Sequence, residues 1–257
     1  MRICRYADGS AGAFGVVVGD QVRQLDGDPF GPCRPGAPVG DLGRVRLLAP
    51  CTPSKVVCAG RNYRSLLAEQ GRDLPDEPFL FLKASTAVVG PGARVYLPGG
   101  VTDLAHEGEL AVVVGRRASR LTESDAAGAV LGYTCANDLT VRDWQGPSRQ
   151  WVRAKSSDTH CPLGPWIETE LDDPADVRVR TTVNGVLRQD GRTSDLVFGI
   201  GQLLAYITAH MTLLPGDVVL TGTSAGIRPV RAGDVMRVEV EGVGALTNPV
   251  VDWPTDA

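Results

Sequence analysis

The stretch Glu107-Gly108-Glu109 runs directly into five apolar residues, Leu110-Ala111-Val112-Val113-Val114. A continuous apolar run of this length reads as a strand covered on both faces. Alternation puts residues i and i+2 on one face, so Glu107 and Glu109 point the same way, roughly 7 Å apart at two strand rises. Two like carboxylates entering a core repel each other and lose hydration, a cost that a cation removes. Asn137-Asp138 follows a second apolar segment, Val130 to Cys135, and supplies a third carboxylate. An all-oxygen set of two Glu and one Asp suits a hard divalent ion, Mg²⁺, Mn²⁺ or Ca²⁺, better than zinc. Glu-x-Glu also occurs on solvated strand faces, so spacing alone leaves the ion open.

At 257 residues the chain is long enough for one sizeable core with a small appendage. A net charge of −4 without a basic block argues against nucleic acid as a partner. No segment has the length and apolarity of a membrane span, and the start Met-Arg-Ile-Cys-Arg lacks a signal-peptide core. The cytoplasm is therefore the expected compartment. The six cysteines form no Cys-x-x-Cys pair and several sit in apolar contexts, which predicts buried free thiols.

Gly 31 and Pro 18 mark a turn-rich chain of many short strands, mainly β with a few helices (α+β). Ile3, Phe14 to Val18 and Val22 to Leu25 read as strands, and the Gly/Pro-rich Asp26 to Gly43 as a loop. A boundary near Pro50-Cys51-Thr52-Pro53 separates a small N-terminal domain (1–53) from a main domain (54–257). Lys55 to Ala59 is a strand and Arg64 to Gln70 a short helix. Thr122 heads a helix of about two turns, with Asp125 in a capping-box position. Val177 to Val183 alternates and meets Asn184-Gly185, a strong hairpin signal. Leu196, Val197, Ile200, Leu203, Leu204 and Ile207 recur at helical spacing, and His210 caps the end of that helix. Met236, Val238 and Val240 alternate with charged residues in a late strand.

Arg142, Gln145 and Lys155 follow the third carboxylate. Two cations and an amide beside an oxygen-ligated ion form a natural site for carboxylate and keto oxygens. The bland readings are an ion pair of Arg142 with Asp143 or Asp158, and a surface position for Lys155.

Taken in order, Ala59-Gly60-Arg61-Asn62-Tyr63, Pro78-Phe79, Lys83, Glu107-Gly108-Glu109, Asn137-Asp138, Arg142-Asp143-Trp144-Gln145, Lys155-Ser156-Ser157-Asp158, Pro162 to Trp166 and Leu213 to Gly226 resemble the fumarylacetoacetate hydrolase family over about residues 54–253. The resemblance is to its acylpyruvase and 2-hydroxyhepta-2,4-diene-1,7-dioate isomerase-like members. It implies a mixed β-sandwich roll, usually a homodimer, with Mg²⁺ or Mn²⁺ held by Glu107, Glu109 and Asp138. It makes Arg142 and Gln145 substrate-binding, Lys155 an active-site lysine, Thr223 the hydroxyl near the substrate, and Gly222 part of the same loop. The implied substrate is a small 2-oxo or 1,3-diketo acid, cleaved, decarboxylated, hydrolysed or isomerised through an enolate.

One departure bears on the reaction. Family hydrolases carry a lid His three residues past the Asn-Tyr tyrosine, paired with a Glu three further on. Here Leu66 stands in the His position and Glu69 remains. Leucine cannot take a proton. Either Glu69, enclosed by Leu66 and Leu67, or His160 replaces the base, or water is not the nucleophile. His106 alternates away from Glu107 and reads as a packing residue. Arg64 and Arg72 are candidates for a second acidic group, solvated surface being the commoner fate. C–C bond hydrolysis is the first expectation, isomerisation or decarboxylation the second, and a catalytically silent dimer-forming protein the third.

Overall fold

The computed structural model describes residues 1–146 and 151–254. Among these residues strands dominate, in three sheets of twelve, five and three strands. The Gly108–Val114 strand lies inside the largest sheet, between Val130–Asn137 and Val218–Leu220. Its alternate residues enter different cores. Ala111 and Val113 pack with Val56, Cys58, Leu163 and Ile167. Val112 and Val114 pack against the Ile200–His210 helix through Leu203, Leu204 and Ile207. Leu110 meets Val179, Val238 and Val240 of the five-stranded sheet. Both faces are covered, which is why this strand has no polar alternation. Each buried Leu or Val contributes about 1.5–3 kcal/mol, enough together to offset part of the cost of burying acids at the strand's head.

The N-terminal segment extends the same sheet. Arg2–Tyr6 pairs with Ala13–Val18 on one side and Cys161–Glu168 on the other, through Arg2↔Glu168 and Ile3↔Ile167. The Asp26 to Gly43 loop reading is corrected: Cys33–Asp41 is the outermost strand, and Pro35 and Pro38 are tolerated because an edge needs fewer N–H donors. The two-turn helix after Thr122 is also corrected. Thr122 Oγ and Asp125 bond to each other, but only a single 3₁₀ turn follows, Ala126–Ala129. Asn184 and Gly185 turn the Arg178–Val183/Val186–Arg192 hairpin with φ of 52° and 77°. The late helix starts at Ile200, later than the spacing of Leu196 and Val197 suggested. All six cysteines are free, and five are buried. Among the described residues no helix is long and apolar enough to cross a membrane.

Candidate active site

Strand register assembles the carboxylates. Gly108 pairs with Asn137, and the next step outward places Asp138 N–H on Glu107 C=O at 2.8 Å. Asn137 Oδ1 accepts the Glu107 N–H at 2.9 Å and fixes that corner. Gly108 leaves room for the neighbouring sheet, since a Cβ there would sit 2.0 Å from Thr181 Oγ. Glu107, Glu109 and Asp138 are all buried and offer one oxygen each within 4.8 Å of one another.

Among the described residues three cations converge on this cluster. Lys155 is only 2% exposed. Its Nζ bridges Glu107 at 2.7 Å and Asp138 at 2.6 Å. Burial alone would lower its pKa, but Asp138 and Glu107 outweigh burial and push it up, so it stays an ammonium. Lys83 donates to the other Asp138 oxygen at 2.6 Å and to Leu139 C=O at 3.1 Å. Burial works against the Asp138 carboxylate, yet Lys155 and Lys83 hold it below the usual carboxylate range. Arg142 donates to Glu107 at 2.9 Å and to Gln145 Oε1 at 3.1 Å. Asp143, one of the ion-pair partners expected for Arg142, instead accepts the Thr102 and Asp103 N–H groups.

Glu109 stands apart. It accepts a backbone N–H, from Gly222 at 2.6 Å. Burial, then repulsion from Asp138, pushes its pKa well above the usual range, with Lys155 opposing. A divalent ion fits here on two grounds. The donor set is all oxygen and mutually close, and among the described residues Glu109 is the buried acid of the three without a cation of its own.

A cavity of about 430 Å³ opens over the cluster. Its inner wall is Glu107, Glu109, Asp138, Lys155 and Thr223, with Arg142 and Gln145 beside them. Gly222, at φ 106°, turns the chain so that its N–H meets Glu109. Thr223 Oγ donates to Gly108 C=O at 2.9 Å and accepts from Gln189 Nε2 at 2.7 Å. Gln189 is fixed in turn by Gly108 N–H on its Oε1 at 3.0 Å. The hydroxyl hydrogen is thereby committed, and Thr223 can offer a ligand only an acceptor lone pair.

Two residues expected as replacement bases lie elsewhere. His160 is fully buried and does not line the cavity; its ring nitrogen bonds Tyr96 C=O at 2.8 Å, and burial pushes its pKa down to about 4. Glu69 is exposed and accepts from Gly226 N–H at 3.2 Å, outside the cavity lining. On the Arg64–Glu69 helix, Leu66 and Leu67 turn inward, and Glu69, 200° beyond Leu67, turns out. Leu66 itself lines the cavity. His106 Nδ1 bonds Gln189 Oε1 at 3.1 Å, away from the cavity lining. Lys83 and Gln189 were not singled out as site residues from the sequence, because the contacts that give them a role join residues dozens of positions apart.

The fumarylacetoacetate hydrolase C-terminal family profile matches residues 55–251, and a profile described as Rv2993c-like, N-terminal, matches residues 1–50. The chain belongs to the fumarylacetoacetate hydrolase family. It is similar to the 2-hydroxyhepta-2,4-diene-1,7-dioate isomerase of Mycobacterium marinum, with 43% identity and a TM-score of 0.90 over 98% of each chain. It is 41% identical to the mitochondrial oxaloacetate tautomerase fahd2 of Xenopus laevis, over 80% of this chain and 69% of that one. A maleylpyruvate hydrolase from Sphingobium sp. SYK-6, solved with manganese(II) and pyruvate, is 31% identical with a TM-score of 0.81, over 99% of this chain and 100% of that one. Members of the family thus include isomerases, tautomerases and hydrolases, with a divalent ion in at least one.

Proposed function

We propose that this chain is a divalent-metal-dependent enzyme that interconverts keto and enol or isomeric forms of a small 2-oxo acid, without activating water. Leu66 carries the reading: it lines the cavity in the position of the base that family hydrolases use on water. No histidine lines the cavity among the described residues. Mg²⁺ or Mn²⁺ held by Glu107, Glu109 and Asp138 would supply Lewis-acid polarisation of the 2-oxo group. Arg142 and the Gln145 amide bind the adjacent carboxylate. The Lys155 ammonium, held in the cavity by two carboxylates, gives a proton to C3 of the enol while the amine so formed takes the enol hydroxyl proton, and the same steps in reverse return the keto form to the enol. Thr223, restricted to accepting, suits an enol hydroxyl. The similarity to a tautomerase and an isomerase supports the same reading.

C–C bond hydrolysis is the second reading. It is favoured by the complete carboxylate, arginine and lysine set and by the similarity to a hydrolase. Decarboxylation shares the enolate and differs in releasing CO₂. The deciding experiment follows the C3 protons of a panel of 2-oxo acids by NMR in D₂O, with Mn²⁺ or Mg²⁺ and with EDTA. Enolisation predicts metal-dependent exchange with the carbon skeleton intact. Metal-dependent cleavage into two fragments contradicts it, and no exchange with any member leaves a silent protein.

A further inference from the structure

We infer that a second cavity, separate from the catalytic one, binds a small aliphatic carboxylate through Arg5. The cavity has a volume of about 270 Å³, and among the described residues it shares no lining residue with the cavity over Glu107, Glu109 and Asp138. It lies on the seam between the stretches matched by the two family profiles: Arg5, Leu48 and Ala49 come from the first, and Val88, Val89 and Gly90 from the second. Strand register sets one wall, since Arg5 pairs with Leu48. The other wall is the Val88–Val89 strand, which pairs with Cys161 and Pro162. The walls close at Gly90, where a Cβ would sit 2.4 Å from Ala49 N. Asn248 Nδ2 donates to Gly90 C=O at 2.9 Å and fixes that edge. Pockets for drug-sized ligands run to about 300–1,000 Å³, so this one suits a smaller molecule.

Arg5 supplies the charge. Among the described residues the buried Lys and Arg side chains are Arg5, Lys83 and Lys155. Lys83 and Lys155 each meet a carboxylate at 2.6 Å. Arg5, only 9% exposed, meets none among the described residues. It donates to Ala49 C=O at 3.2 Å and to Ala11 C=O at 2.7 Å, and its guanidinium carbon lies 5.8 Å from the Phe14 ring. These neutral partners use two of the five guanidinium donors and leave the charge without a counter-charge. A buried charge is costly unless it is paired. No acidic residue lines the cavity among the described residues, so an anion entering it provides the missing partner. Leu48, Val88 and Val89 make much of the remaining lining apolar. That lining suits an aliphatic tail behind the carboxylate and disfavours inorganic phosphate, which is hydrated on every side.

The test is calorimetric binding of pentanoate to the full chain, beside neutral pentanamide, acetate and inorganic phosphate. All are measured in an Arg142→Met background, which removes the carboxylate contact proposed for the catalytic cavity and leaves the second site to report. Pentanoate is expected to bind about tenfold or more tighter than pentanamide, the scale of one charge-assisted contact. It should also bind about tenfold tighter than acetate, because its additional methylenes leave water. Arg5→Met is expected to abolish the preference for the acid over the amide, and Arg5→Lys to keep part of it. Thr52→Phe enlarges an exposed residue of the lining and should block pentanoate. That variant keeps the test decisive if Arg5→Met folds poorly. Equal binding of pentanoate and pentanamide overturns the site, as does phosphate that binds as tightly as pentanoate. So does pentanoate binding that survives Thr52→Phe, or no pentanoate binding at all.

Discussion

Replacing Lys155 by Met removes the ammonium that bridges Glu107 and Asp138 at 2.7 and 2.6 Å. Removing one partner of a buried ion pair typically costs about 3–5 kcal/mol, because a charge is left buried without compensation. Here Arg142 still meets Glu107 and Lys83 still meets Asp138, which places the loss at the low end, about 3 kcal/mol. In a chain of this size each kcal/mol moves the melting temperature by about 2–4 °C, so the variant should melt roughly 6–12 °C lower in EDTA. A bound ion stabilises both proteins, by about 2.7 kcal/mol at a hundred times Kd. It should stabilise the variant more, because the ion's charge replaces the lost ammonium and no longer faces repulsion from it. Thermal and urea unfolding with EDTA and with saturating Mn²⁺ measure the gap under both conditions. A gap that is absent in EDTA, or that is the same with Mn²⁺, would refute the picture of Lys155 as counter-charge to the metal-binding carboxylates.

Other outcomes follow from the same geometry. Glu69→Gln should leave kcat within about threefold, the range of an ordinary surface substitution, since its exposed carboxylate does not line the cavity and is held by Gly226 N–H; a loss of turnover restores Glu69 as the base. Gly222→Ala forces a side chain at φ 106° to within 2.9 Å of Asn62 Cβ. It should cost about 1–3 kcal/mol by urea unfolding and weaken Mn²⁺ binding in a titration, because the N–H on Glu109 shifts. Asp217 is fully buried, and although burial raises its pKa, hydrogen bonds from Lys55, Ser54 and Leu214 outweigh it and leave the pKa lowered. Its contribution is present above the unfolded value of about 3.9 and is lost as pH falls through the lowered folded value. Asp217→Asn should therefore destabilise the protein at neutral pH and flatten its acid-unfolding curve, as followed by circular dichroism.

The carboxylate centre was legible in the sequence because strand alternation and one register step bring Glu107, Glu109 and Asp138 together, and both rules are local. Lys83 belongs to a recognisable motif, but its bond to Asp138 crosses 55 positions and no periodicity encodes it. Gln189 is the buried exception in a largely exposed strand, and its role depends on a loop that arrives from residue 223. The lid misled in a physical way. Glu69 stands one helical turn from Leu66, yet the helix buries Leu66 and Leu67, and that choice sends Glu69 to Gly226 and Arg228. Cys33–Asp41 was hidden by its prolines, which signal a loop except at a sheet edge.

The most direct measurement is the mass balance of turnover in H₂¹⁸O for a panel of 2-oxo and diketo acids with Mn²⁺, read by mass spectrometry. Enolisation without activated water predicts metal-dependent interconversion with no change in total mass and no ¹⁸O in a newly formed carboxylate. A cleaved product carrying ¹⁸O in its new carboxylate would contradict it, and would mean that water is activated in this cavity despite Leu66.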